Sequence, residues 1–322
     1  MLFPVSGVKT WVFLPPLVAF IVSFFTSMGG VSGAFLLLPF QVSILGFTSP
    51  AVSPTNLVYN IVGIPSGVYR YIREGRMAWP LTWTIIIGTL PGVFIGAIIR
   101  IKYLPDPKAF KFFVGCVLLY IGGRLLYDLS GRVSLKKNKI KALDEKFKKA
   151  ADKIKAEQKT RVASGLPPEA VVKTIKFSFT RYEYEFYGER FSFNTIGLFI
   201  LTFIVGVIGG TYGIGGGAII APFLVAVFHL PVYSIAGAAL MGTFITSIAG
   251  VIFYTLIAPI YADTGLAIAP DWILGFLFGI GGFAGMYCGA RFQKFVPQRF
   301  IKLMLGLIIT LLSLRYIAQY FL

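Results

Sequence analysis

The chain has 322 residues, 56% hydrophobic and only 13% charged, with a formal net charge of +17. Soluble domains carry about a quarter charged residues, so this composition excludes a protein that meets water on every side. The positive excess does not indicate nucleic acid: about half of it lies between Arg132 and Arg161, and no basic–aromatic module accompanies it.

In chain order, the first residues hold Lys9 but neither a basic n-region nor a small-residue cleavage site. They read as mature sequence leading into a membrane element. A short apolar segment, Trp11 to Thr26, enters the glycine-rich break Ser27-Met28-Gly29-Gly30-Val31-Ser32-Gly33, and a second short segment, Ala34 to Leu45, follows. Crossing a hydrocarbon core about 30 Å thick takes roughly 20 apolar residues in a helix. Both segments fall short, which predicts broken or re-entrant elements facing protein or a cavity. The next helix carries Ser53, Thr55, Asn56 and Asn60, and two longer blocks, Leu81 to Ile99 and Phe110 to Tyr127, complete a first unit. The longer blocks lack the alternation of barrel strands, so they are helices.

From Arg132 to Arg161 the chain is predominantly basic, with Ile140, Leu143, Phe147, Ala150 and Ile154 at three- and four-residue steps. This predicts an amphipathic helix that is solvated or lies on the bilayer surface, with anionic lipid as its partner; a regulatory or partner-docking role is the other reading. Gly165-Leu166-Pro167-Pro168 ends it. Alternation around Ile175, Phe177 and Phe179, and Gly188 within Tyr182 to Phe193, predict a short surface hairpin.

The second half repeats the first. A shift of 183 positions lays Gly213 on Gly30, Gly216 on Gly33, Pro222 on Pro39, Leu240 on Leu57, Gly250 on Gly67 and Tyr254 on Tyr71. After a ten-residue insertion, Gly285-x-x-x-Gly289-Ala290 lies on Gly92-x-x-x-Gly96-Ala97. A short segment, Asn194 to Ile208, again meets a break, Gly209-Gly210-Thr211-Tyr212-Gly213-Ile214-Gly215-Gly216-Gly217, and a second, Ala218 to Leu230, follows. Ser234 to Ile257, Trp272 to Ala290 and Phe300 to Leu322 are the longer blocks of this copy.

Cytoplasmic loops collect Lys and Arg. Arg70, Arg73 and Arg76, the connector, and Arg291, Lys294, Arg299 and Lys302 are therefore assigned to the cytoplasm, and Pro259 to Asp271 to the outside. Counting each broken pair as one hairpin satisfies these assignments and inverts the copies. Arg100, Lys102 and Lys108 contradict them, falling on the outer side. The expected fold is thus all-α: a polytopic transmembrane bundle of two inverted repeats, residues 1–130 and 194–322, joined by a cytoplasmic connector, 131–193. Each repeat holds a glycine-broken short-helix pair and three longer helices. Secondary transporters built this way bind solute near the midplane.

Each break opens a short helix at Ala34 or Ala218, whose first N–H groups lack helical partners and carry partial positive charge. Two such starts meeting from opposite sides would hold one small anion. The other reading of the glycines is close helix packing. The candidate substrate ligands are Gly30, Ser32, Gly33, Ala34, Asn56, Asn60, Gly213, Gly215, Gly216, Gly217, Thr243 and Thr246, with Ser247 in the same hydroxyl cluster. For Asn56, helix–helix hydrogen bonding competes with substrate contact. No carboxylate sits mid-bilayer, no His/Cys/carboxylate cluster suggests a metal, and neither glycine run continues into a Walker-type Gly-Lys-Ser/Thr. No cofactor is expected.

The run Gly209 to Gly217 followed by Ala221-Pro222, then Ala238-Ala239-Leu240 and Gly289-Ala290-Arg291, resembles the sulfite exporter TauE/SafE family of membrane permeases. Gly30-Val31-Ser32-Gly33, Leu38-Pro39 and Pro54-Thr55-Asn56 carry a fainter likeness in the first copy. The resemblance implies transport of small sulfur-containing anions: sulfite, sulfoacetate or another organosulfonate, or thiosulfate. Ser32 and Ala34 stand where the second copy has Gly215 and Gly217, so the site is expected to be asymmetric. The expectation is a non-enzymatic secondary transporter of the plasma (inner) membrane. Its rivals are a passive anion channel and a membrane-embedded sulfur-transfer protein, for which Cys116 and Cys288 are the only thiols.

Overall fold

The computed structural model describes residues 1–28, 31–73, 77–129, 172–178, 180–186, 189–228, 230, 232–292 and 298–321. Helices dominate. In chain order they are α1 (Leu14–Met28), α2 (Ala34–Ser43), α3 (Val52–Gly63), α4 (Pro65–Arg73), α5 (Trp79–Lys102), α6 (Pro107–Leu129), α7 (Thr195–Tyr212), α8 (Ile220–Val227), α9 (Val232–Ile257), α10 (Trp272–Phe292) and α11 (Gln298–Phe321). A 3-10 turn, Ala258–Thr264, follows α9. Six of the described helices are long and apolar enough to cross a membrane: α5, α6, α7, α9, α10 and α11.

Local chemistry sets several boundaries. Pro15 and Pro16 occupy the first turn of α1, where the missing N–H costs nothing. Pro65 separates α3 from α4, since proline cannot donate back into the preceding turn. The second copy has no proline there, and α9 runs unbroken. Asn194 caps α7 by accepting from Gly197 N–H at 3.0 Å. The 18-residue α7 reaches spanning length, longer than the short segment expected, because it continues through Gly209-Gly210 to Tyr212. The second short helix begins at Ile220, two residues beyond the expected Ala218, after a turn at residues 216–219.

The helices pair by exchange. α5 lies along α7, α1 along α10, and α6 along α11; α3 packs on α10 as α9 packs on α5. Glycines permit these approaches. A methyl group at Gly92 of α5 would stand 2.5 Å from the Phe203 carbonyl oxygen of α7, and Gly96 abuts the carbonyl of Val207. On the other side Gly285 and Gly289 of α10 abut the carbonyls of Phe20 and Phe24 of α1. Each member of the second set lies at the repeat shift from its counterpart in the first. Without a hydrophobic drive between helices in lipid, such small-residue contact supplies the packing.

The outward faces are apolar. On α10, Ile273, Phe276, Ile280, Phe283 and Tyr287 recur at three- and four-residue steps and are exposed, opposite the glycine face. Trp83, Ile87, Ile95 and Ile98 do the same for α5.

The N-terminal turn, the 44–51 loop, the C-terminal end of α5 and the 258–271 loop share one end of the bundle. Ser6 Oγ donates to Asp271 at 2.8 Å, Ala51 N–H to Ala267 O at 2.9 Å, and Arg100 to Thr48 O at 3.3 Å.

In the connector, residues 131–171, which include the expected basic helix, lie outside the described residues. The expected hairpin is a three-stranded antiparallel sheet, β1 (Lys173–Phe177), β2 (Arg181–Phe186) and β3 (Glu189–Asn194), in order β1-β2-β3. Alternation in Arg181-Tyr-Glu-Tyr-Glu-Phe186 turns Tyr182, Tyr184 and Phe186 inward. The Phe193 ring then meets that of Phe228, beyond the end of α8, in a tilted contact with centroids 5.5 Å apart, seating the sheet on the bundle.

Candidate functional site

Ser53, Asn56 and Asn60 recur at steps of three and four on α3, so they form one stripe of that helix. All three are fully buried. An amide in a membrane interior is costly without partners, and both asparagines find theirs in the glycine breaks. Asn56 Nδ2 donates to Ala34 O at 3.0 Å, just past the first break, and to Gly213 O at 2.9 Å, inside the second. One turn along, Asn60 Nδ2 donates to Ile214 O at 2.9 Å and Ser247 Oγ at 3.2 Å, while its Oδ1 accepts from Ser32 Oγ at 2.7 Å. Two side chains of one helix therefore clip the two breaks together. Tyr212 adds a third link, its hydroxyl donating to Phe35 O at 2.7 Å.

The second break takes its shape from two glycines. Gly213 and Gly215 both have φ 81°, a left-handed conformation that side chains rarely adopt. Gly213 ends α7 there, and the N–H groups of Gly213 and Ile214 both bond to Gly209 O. Added bulk has no room: a methyl at Gly213 would meet Ser53 at 2.5 Å, and one at Gly216 would meet Thr89 at 2.5 Å.

The site residues expected from sequence sort as follows. Gly30 lies outside the described residues. Ser32, Gly33, Ala34, Asn56, Asn60, Gly213, Gly215, Gly216, Gly217, Thr243 and Thr246 converge on the junction of the breaks. Two of the backbone donors are engaged internally: Gly216 N–H bonds Thr246 Oγ1 at 3.1 Å, and Ala34 N–H bonds Ser32 Oγ at 3.3 Å. Thr243 Oγ1 donates to Ala239 O of its own helix at 2.8 Å and packs against Gly215 and Gly217.

Sequence reading passed over Gln41, whose Nε2 donates to Asn56 Oδ1 at 3.2 Å and whose buried Oε1 has no partner. A lone amide in the otherwise apolar α2 was its signal. Ser23 and Tyr59, hydrogen-bonded at 2.7 Å against Gly33, gave none.

No described group of His, Cys, Asp and Glu is placed to hold a metal ion. Two described cavities lie away from the junction: a groove of about 400 Å³ lined by apolar residues of α3 and α10, among them Val58, Ile61 and Phe276, and one of about 250 Å³ lined by Lys108, Lys111, Tyr316 and Gln319. The first opens among exposed apolar side chains, as a lipid-facing groove does.

Both breaks and the long helices, apart from the last residues of α11, fall within residues 16–316, which match the family model described as Sulfite exporter TauE/SafE. The chain belongs to the sulfite exporter TauE/SafE family. It is a family of membrane transporters, not of enzymes. From Bacillus subtilis (strain 168), the Probable membrane transporter protein YdhB is 28% identical over 102 residues, covering 31% of this chain and 37% of that protein. No solved structure matches.

Proposed function

We propose that this TauE/SafE member is a secondary transporter of the plasma (inner) membrane. In this reading it carries small sulfur-containing anions, such as sulfite, an organosulfonate like sulfoacetate, or thiosulfate, by alternating access between two inverted repeats. The observation that carries the reading is the clipping of both glycine breaks by Asn56 and Asn60. It brings the starts of two short helices to one buried, uncharged junction of hydroxyls, amides and backbone donors.

The paired contacts of Gly92 and Gly96 with Phe203 and Val207, and of Gly285 and Gly289 with Phe20 and Phe24, support a two-fold relation between residues 1–130 and 194–322. Movement of one repeat against the other would part the breaks. At the junction, Ser32 and Thr246 hydroxyls accept from Ala34 and Gly216 N–H groups, the place an oxyanion would take. An arriving anion replaces the hydroxyl as acceptor of the N–H, while each hydroxyl keeps the bond it already donates, Ser32 to Asn60 Oδ1 and Thr246 to Gly242 O. Such an exchange keeps every buried donor paired with or without solute. A proton that travels on the anion itself would couple flux to the proton gradient without a buried carboxylate.

In proteoliposomes, counterflow of labelled sulfite or sulfoacetate is expected for the wild type, and loss of it for Asn56→Leu and Thr246→Val. Counterflow unaltered in both variants would dismiss this junction as the solute site. Ohmic current without counterflow would make the protein a channel.

A further inference from the structure

Arg100, one of the cations that defied the charge rule, is fully buried near the end of α5. One of its terminal N–H groups bonds to Leu104 O, another to Thr48 O at 3.3 Å, and the guanidinium lies 3.7 Å over the Phe110 ring. Those carbonyls cap the helix end, but they leave a full positive charge behind. No carboxylate lies within ion-pair distance of it among the described residues. Asp271, the other buried charged residue described, is taken by Ser6 and the Leu274 N–H. An unpaired buried charge is costly, and in a membrane protein it marks a solute or ion path.

Three buried side-chain atoms on the way from this charge to the breaks make no well-formed hydrogen bond: Arg100 Nε, Tyr254 OH and Ser53 Oγ. The Tyr254 and Ser53 hydroxyls lie near hydrogen-bonding reach of each other, and the Arg100 charge acts on Tyr254. It shares a buried cluster with Ala97 and Ile101, which flank Arg100 on α5, and with Leu57, one turn from Ser53 on α3. Ser53 in turn presses on Gly213 of the second break, where a methyl would stand 2.5 Å from its Cβ. The group thus reaches from the end of the bundle that carries the 258–271 loop to the glycine junction.

We propose that Arg100, Tyr254 and Ser53 form a second anion-binding station, at which a solute's sulfonate or other oxyanion group supplies the counter-charge that Arg100 lacks before passing to the breaks. The charge draws the anion in, and the Nε–H and two hydroxyls match its three oxygens. Ser53 belongs to both stations and hands the group on. This rests on the anion-transport reading, but its test does not depend on flux.

In a background with Cys116 and Cys288 changed to Ala, Ser53→Cys in the full chain is treated with an anionic sulfonatoethyl and a cationic trimethylammonioethyl methanethiosulfonate reagent. The anionic reagent is expected to react at least about tenfold faster, and methanesulfonate to slow it. Arg100→Gln is expected to abolish both effects, and Arg100→Lys to retain the charge preference, showing that the effect follows charge rather than misfolding. Absence of reaction, equal rates for the two reagents, lack of protection by methanesulfonate, or a preference that survives Arg100→Gln overturns the station. Loss of solute counterflow in Asn56→Leu with the labelling preference intact would leave this station standing and test only the junction.

Discussion

Asn60 shows how much hangs on one side chain. Its amide serves Ile214 O and Ser247 Oγ while its carbonyl serves Ser32. Asn60→Leu fits the space roughly but strands a buried carbonyl and two hydroxyls. Each unsatisfied group costs about 1–3 kcal/mol, so a clear fall in detergent melting temperature is expected. Tyr212→Phe removes a single hydroxyl donor to Phe35 O and should cost about 1 kcal/mol in the same melt. Equal losses in the two variants would count against the asparagine as the main clip. Asn56 and Asn60 were legible as interior residues because an uncharged amide amid apolar sequence needs a partner. Their partners were not legible, since Gly213 and Ile214 lie 157 and 154 positions away.

Among the elements, the glycine faces of α5 and α10 are the most sensitive to bulk. Gly92→Leu drives a side chain into the Phe203 carbonyl, and Gly285→Leu into that of Phe20. Overpacking of this kind costs about 1–3 kcal/mol, and a matching drop in melting temperature is expected for both. Gly123 on α6 has nothing within 4 Å of an added methyl, so Gly123→Ala should be neutral or stabilising, by up to about 1 kcal/mol. A variant at Gly92 as harmless as Gly123→Ala would mean that the α5–α7 contact is not close.

The sheet carries its own pH response. Burial pushes the Tyr182 hydroxyl above its usual value of 10.0, outweighing the opposing hydrogen bond from Thr174. A raised folded-state value means that stability is fully present below pH 10 and is lost as the pH climbs through the higher folded value. Hydrogen exchange in β2 should therefore accelerate above about pH 10, and Tyr182→Phe should blunt that rise. Alternation around Ile175 and Phe177, and Gly188 within Tyr182 to Phe193, made a hairpin readable. That three strands join in one sheet was not, because register decides which neighbours pair, and it shifts between Thr174 and Lys176 of β1.

For the whole molecule, the proposed inversion of the repeats makes a statement about sides. The 258–271 loop and the sheet should face opposite aqueous phases. In intact cells a membrane-impermeant maleimide is expected to label Thr264→Cys but not Thr180→Cys until the membrane is opened; both residues are exposed. Labelling of both from outside would remove the inverted topology while leaving the helical bundle untouched. The charge rule reads Arg100 as a violation because it counts charges along the chain, and a cation buried under Phe110 and held by Thr48 does not behave as a loop charge.

The amino-acid sequence by itself determined that the chain lies in lipid, that it is helical, and that its backbone breaks twice at matching glycine runs. Apolar length and the conformational freedom of glycine act locally, so they can be read residue by residue. The expectation of a repeat came from it as well, since a shared shift needs no coordinates to be seen. Only the tertiary structure decided that α3 clips both breaks, that Gln41 bonds Asn56, that α7 runs long enough to span, and that Arg100 sits buried near Tyr254 without a described carboxylate partner. Those facts depend on which distant surfaces pack together, and a buried donor can be met by any of many carbonyls until the fold selects one.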